Sequence, residues 1–163
     1  MRESKPLFDI TDDRDFKFAI ITASWNHEFN NEMAESARAA LEELNLSVID
    51  EFQVPGALEM PLMALELAEE GGYDAIICFG TIFRGETLHF ELVAQQSARG
   101  LMDVSLATSV PILNGVLACE NHEQAKVRAS REQEDKGREV ALSAIALVQQ
   151  IAQISSRYHA VQG

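Results

Sequence analysis

Apolar positions along this chain change period several times, and each change marks a new element. Phe16 to Ser24 (FKFAIITAS) is rich in apolar and β-favouring residues over the length of a strand. Trp25-Asn26 gives it a turn-like exit. From Phe29 the period becomes helical, with Phe29, Met33, Ala37, Ala40, Leu41 and Leu44 on one face. Glu32, Glu35, Arg38, Glu42 and Glu43 occupy the other. Asn45 ends this helix, because Asn tolerates the left-handed cap conformation. Leu46 to Val54 reads as a second strand, broken by Pro55-Gly56. Met60 to Glu70 is expected to be helical, with Pro61 in its first turn and Gly71-Gly72 as its stop. Asp74 to Phe79 (DAIICF) has the nearly continuous apolar character of a strand covered on both faces. Gly80 to Gly85 is expected as the loop after it, and Glu86 to Leu101 as a third helix. Val110 to Leu117 reads as a fourth strand opened by Pro111, and Asn121 to Ser130 as a short helix. A long helix follows from Lys136 to about Arg157, with Val140, Ile145, Leu147, Val148 and Ile151 available for packing.

Strands alternating with helices imply parallel pairing through right-handed crossovers. The fold class is therefore α/β, a three-layer flavodoxin-like sandwich with a four-stranded parallel sheet flanked by helices. One domain spans residues 1–163. Ligands in such folds sit at the carboxyl ends of the strands. Here those ends are Ser24-Trp25-Asn26, Val54-Pro55-Gly56, Gly80 to Thr87, and Gly115 onwards.

Composition narrows the class. The 163 residues are 47% apolar and 24% charged, enough for a core without disulfides or a structural metal. No stretch reaches the length of a membrane span. Met1 to Asp13 lacks the apolar run of a signal peptide, so the cytoplasm is the expected compartment. Two cysteines, Cys78 and Cys119, form no disulfide framework, and Cys78 lies in an apolar run as an inert core thiol would. The formal net charge of −13 opposes nucleic acid and anionic membranes as partners. It leaves room for a locally positive pocket and an anionic small substrate.

The segment Gly80-Thr81-Ile82-Phe83-Arg84-Gly85-Glu86-Thr87 follows a strand and opens a helix. Its glycines allow close backbone approach, and a helix N-terminus offers free N–H groups to an anion. The spacing imitates a nucleotide-binding P-loop, but Glu86 stands where that loop needs lysine, so an NTPase does not fit. The segment reads either as a phosphate site or as an ordinary strand-to-helix turn capped near Thr87. His89 is in reach of whatever that turn holds and has the pKa range for proton transfer; a structural hydrogen bond explains it equally well. Arg128 and Lys136 are candidate phosphate cations, with Arg84 and Arg131 competing. Trp25 can stack on a flat heterocycle or fill a core corner. The histidines are scattered, and Cys119-x-x-His122 lacks a second pair, so no metal site is expected. Neither a nucleophile-elbow serine nor a dinucleotide-binding glycine signature is present.

These segments, in order and spacing, resemble the lumazine synthase family over nearly the whole chain. The resemblance rests on Ala23-Ser24-Trp25-Asn26, on Val54-Pro55-Gly56-Ala57-Leu58-Glu59-Met60-Pro61, and on Gly80 to Phe90 (GTIFRGETLHF). Gly115-Val116-Leu117, Glu123-Gln124-Ala125, Arg128-Ala129 and Asp135-Lys136-Gly137 complete it. It implies that 5-amino-6-(D-ribitylamino)uracil condenses with 3,4-dihydroxy-2-butanone 4-phosphate, without metal or redox cofactor. Trp25 then matches the aromatic that stacks on the pyrimidine. Ala57, Leu58 and Glu59 match the loop holding the ring and ribityl chain, and Thr81 and Ile82 match backbone contacts to the ring. Gly85, Glu86 and Thr87 match the phosphate-binding turn, and His89 the proton-transfer residue. Arg128 matches the cation on the phosphate, with Lys136 close to the substrate and Asn114 lining the ring. The resemblance assigns these last three to a neighbouring subunit.

Leu58 and Asn114 stand where many members of that family carry aromatics, and Ala118-Cys119 replaces a common Thr-Thr pair. These changes trim stacking and polar contacts without removing a group that has a chemical role. The resemblance also implies a homopentamer with sites between subunits, in some relatives packed as a 60-subunit shell. Arg131, Glu132, Glu134 and Asp135 replace a more glycine-rich turn of shell formers. Competing readings are a lumazine- or flavin-binding relative without turnover, a flavodoxin-like electron carrier, and a structural shell protein.

Overall fold

A computed structural model describes residues 15–162; the leader reading of Met1 to Asp13 lies outside the described residues. Four strands form one parallel sheet: β1 (Lys17–Ala23), β2 (Val48–Val54), β3 (Ala75–Phe83) and β4 (Ile112–Cys119). Their spatial order is β2-β1-β3-β4, which puts β1 and β3 at the centre. Burial explains their composition. The central strands have core on both sides and read as apolar runs, whereas the edge strand β2 carries exposed Asp50, Glu51 and Gln53.

Five α-helices cover the sheet: α1 (His27–Glu42), α2 (Met60–Glu70), α3 (His89–Thr108), α4 (His122–Ala129) and α5 (Lys136–Gln162). The period-2 alternation of the strands sorts them into two layers. Phe18, Ile20, Ile77 and Phe79 pack with Met33, Leu41 and Ile145 on the α1, α4 and α5 side. Ala19, Ile21, Ile76 and Cys78 pack with Met60 and Leu101 on the α2 and α3 side. Cys78 is fully buried, and burial pushes its thiol up to about 12, consistent with an inert core residue. At Gly137 a Cβ would come within 2.1 Å of the Met33 carbonyl oxygen, so only glycine lets α5 begin this close to α1.

The expected helices and strands are present, and several boundaries move. Gly80 to Phe83 is not loop but the last part of β3, paired with Val116 to Cys119 of β4. The sheet register overrides the turn propensity of Gly80. The third helix begins at His89 rather than Glu86 and runs past Leu101 to Thr108, ending at left-handed Ser109 before Pro111. β4 starts after Pro111 and continues to Cys119. Asn45 has the left-handed φ of 60° expected of it. Asn121 caps α4 by accepting a hydrogen bond from the Gln124 amide. A short 3-10 turn, Ala57–Glu59, separates β2 from α2.

Candidate active site

The carboxyl ends of β1, β2 and β3 meet in a connected cluster. The Ser24 amide donates to the Val54 carbonyl (2.8 Å) and the Trp25 amide to the Pro55 carbonyl (3.1 Å), which joins the exits of β1 and β2. Asn26 turns the chain in the left-handed region, φ 59°, and its amide donates to the Thr81 carbonyl at 2.8 Å. Asn30 is fully buried. Its amide donates to the carbonyls of Ala23 and Trp25, both at 2.8 Å, while its oxygen accepts the Thr81 hydroxyl at 2.8 Å. Every polar atom of that buried side chain is engaged, so Trp25 is held at a defined place relative to β3.

Trp25 is 67% exposed and lies over Gly56, where a Cβ would approach the indole ring within 2.6 Å and the Glu59 carboxylate within 3.2 Å. An exposed indole, a flat glycine floor and a carboxylate are therefore side by side. Ala57 is buried in the 3-10 turn, and Leu58 points outward. Thr81 is buried and Ile82 half-buried at the end of β3.

Gly85, Glu86, Thr87 and Leu88 connect β3 to α3 and are exposed. His89 is the first residue of α3, also exposed, and its amide donates to the Thr87 hydroxyl at 3.3 Å. Histidine thus stands at a helix N-terminus beside a turn that offers backbone N–H groups.

The predicted cations divide. Arg84 is engaged by two carboxylates: its Nε donates to Glu120 at 2.9 and 2.7 Å and its Nη1 to Glu91. Arg131 pairs with Glu35 of α1, at 3.9 Å. Arg128 is exposed on α4, with a long 3.4 Å bond to the Gln124 carbonyl of its own helix. Its charge reaches Cys119, where it opposes the upward push of burial on the thiol. Lys136 opens α5 and pairs with Glu139 at 2.7 Å. Asn114 lies on the edge strand β4 and accepts the Val116 amide at 2.9 Å. Among the described residues no hydrogen bond or ion pair links Arg128, Lys136 or Asn114 to Trp25, Glu59, Thr87 or His89. One chain brings together the ring-facing half of the predicted site and leaves its cations apart.

The sequence shows Asn26 at a strand end and Arg84 among the candidate cations, but not the hydrogen bonds of Asn26 and Asn30 or the pairing of Arg84 with Glu91 and Glu120. The signal for the asparagines was present: the two stand one helical turn apart, just after a strand, with Asn30 between core residues Phe29 and Met33. A cavity of about 420 Å3, lined by Asp15, Tyr73, Asp74, Pro111 and Ile151, lies at the opposite, amino end of the strands and contains none of the predicted site residues. Among the described residues no group of three or more His, Cys, Asp or Glu side chains is arranged to hold a metal, and no helix is long and apolar enough to cross a membrane.

Residues 15–152 match the family described as 6,7-dimethyl-8-ribityllumazine synthase. The protein of that name from Xanthomonas euvesicatoria pv. vesicatoria is 44% identical over 134 residues, covering 81% of this chain and 87% of its own. One from Deinococcus deserti is 41% identical over 142 residues, covering 86% and 91%. One from Xanthomonas campestris pv. campestris is 43% identical over 134 residues. With the matched span running from β1 into α5, the chain belongs to the 6,7-dimethyl-8-ribityllumazine synthase family.

Proposed function

We propose that this protein condenses 5-amino-6-(D-ribitylamino)uracil with 3,4-dihydroxy-2-butanone 4-phosphate, giving 6,7-dimethyl-8-ribityllumazine, inorganic phosphate and water. The observation that carries the reading is the cluster of Trp25, Gly56 and Glu59 next to Thr81, at the strand ends and within the span that matches the family. The pyrimidine stacks on the exposed indole of Trp25. Ala57, Leu58 and Glu59 hold the ring and its ribityl chain, with Thr81 and Ile82 contributing backbone contacts.

The phosphate of the second substrate sits on the turn of Gly85, Glu86 and Thr87, at the N-terminus of α3. The uracil amine attacks the ketone and a first water leaves as the imine forms; phosphate is eliminated, the resulting enol becomes a carbonyl, and the ribityl-bearing nitrogen attacks it and closes the ring with loss of a second water. His89 moves protons in these steps. Holding both substrates in one orientation supplies much of the acceleration, up to about 7–11 kcal/mol in favourable cases.

Arg128, Lys136 and Asn114 come from a neighbouring copy: Arg128 grips the phosphate, Lys136 lies near the substrate, and Asn114 lines the ring. Two features support this. Arg128 has no carboxylate partner among the described residues. Leu62, Leu92, Met102 and Leu106 on α2 and α3, with Leu58 and Leu88 in the turns before these helices, are also exposed, apolar side chains that a neighbouring copy would cover. A closed homopentamer satisfies both, and cytoplasmic residence suits its substrates.

A steady-state assay with both substrates tests the reading. Lumazine absorbance and released phosphate are expected to rise in a one-to-one ratio. Assembled protein that binds the pyrimidine and forms neither product would instead be a binding relative.

A further inference from the structure

The turn proposed to hold phosphate has little of its own to shape it. Gly85 to His89 are all exposed, and a Cβ placed at Gly85 would meet nothing within 4 Å. The geometry of the turn must therefore come from its flanks. Arg84, the residue before it, is anchored in four ways. Its amide donates to the Cys119 carbonyl at 3.0 Å. Its Nε donates to both Glu120 oxygens, just beyond β4. Its Nη1 donates to Glu91, in the first turn of α3. Its guanidinium carbon lies 4.4 Å from the Phe90 ring centre.

We propose that Arg84 is a positioning residue: its guanidinium fork ties the end of β4 to the first turn of α3 and so fixes the phosphate-binding turn between them. The proposal rests on the reading of Gly85, Glu86 and Thr87 as the phosphate site. Arg84 is not itself the phosphate ligand, because an anion there would face the Glu91 and Glu120 carboxylates. A single exposed ion pair contributes little, but a planar fork shared by two carboxylates and stacked on a ring resists rearrangement. Hydrogen bonding to Glu91 and Glu120 holds the guanidinium firmly charged, and Arg84 in turn holds the Glu91 carboxyl below its usual range.

The test uses the full-length protein and the two-substrate assay. Arg84→Gln is expected to raise KM for the sugar phosphate about fivefold, with KM for the pyrimidine changed less than about twofold. Arg84→Lys keeps the charge and loses the fork, so it is expected to behave like Arg84→Gln. Wild-type KM in Arg84→Lys would instead make Arg84 a direct charge on the phosphate and overturn the proposal. An unchanged KM in Arg84→Gln, or equal increases for both substrates, would overturn it too. Should Arg84→Gln fail to fold, Glu120→Gln cuts one arm alone. A KM for the sugar phosphate raised about twofold supports positioning, and an unchanged or lowered KM overturns it. The same variants titrated with inorganic phosphate report on the turn without turnover. A wild type that makes no lumazine would sink the proposed reaction, whereas an active wild type with indifferent variants would sink the role of Arg84 alone.

Discussion

The two halves of the proposed site are built differently. Around Trp25 the strand ends are wired by buried hydrogen bonds: Asn30 spans Ala23, Trp25 and Thr81, and Asn26 reaches the Thr81 carbonyl. Arg128 and Lys136 instead lie on α4 and α5, and their polar contacts are to their own helices. The ring-facing half is shaped by this chain's own folding, so ordering a flat ring there costs little reorganisation. The cationic half has no such fixed geometry within one chain, as expected if a neighbour's surface completes it.

Substitutions in the two halves should therefore have different signatures. Asn30→Ala should be the most damaging, losing about 3 kcal/mol of stability, because the buried bonds to the Ala23 carbonyl and the Thr81 hydroxyl and the part-buried one to the Trp25 carbonyl are all lost. Urea unfolding would read it, and a loss near zero would deny the wiring. Arg128→Ala should leave unfolding unchanged and lower kcat/KM for the sugar phosphate about a hundredfold, with pyrimidine affinity kept. Equal losses for both substrates would break the division into halves. Gly56→Ala should push the indole off its floor and raise the pyrimidine KM about tenfold, leaving phosphate affinity alone.

The smallest effect belongs outside the site. Burial and the Asp50 carboxylate that accepts the Tyr73 hydroxyl push Tyr73 up to about 12. The folded protein then keeps a proton that the unfolded chain releases near its ordinary pKa of about 10. This contribution is complete below about pH 10 and fades as pH rises through the folded value. Tyr73→Phe should therefore flatten the alkaline loss of stability between about pH 10 and 12, measured by denaturant unfolding.

Much of the fold was legible because burial leaves a mark on composition. β1 and β3 are covered on both faces and read as apolar runs, and α1 keeps a clean helical face. The end of β3 was missed because Gly80 and Gly85 signal a turn, while pairing with β4 carries the strand on to Phe83. The start of α3 was missed because Glu86 and Thr87 suit a first helical turn, yet Arg84 and exposed Gly85 belong to a connection that ends only at His89. In the candidate site, Trp25 and His89 are visible as unusual residues at a strand end and a helix start, whereas Glu59 enters only through the family resemblance. Asn30 left only the weak signal of its place between Phe29 and Met33, and the partners that explain it are set by the sheet packed against it. The separation of Arg128 and Lys136 from Trp25 and Glu59 is likewise a property of the tertiary fold, invisible to any local pattern.

The most direct test of the account is complementation between inactive subunits. His89→Ala disables the ring-facing half and Arg128→Ala the cationic half. Co-expressed in equal amounts in a closed ring, the two should form some interfaces with both residues intact and recover about a quarter of wild-type turnover, although each alone is nearly inactive. Turnover that never exceeds the average of the two separate variants would contradict a site shared between copies, and with it the division on which this account rests.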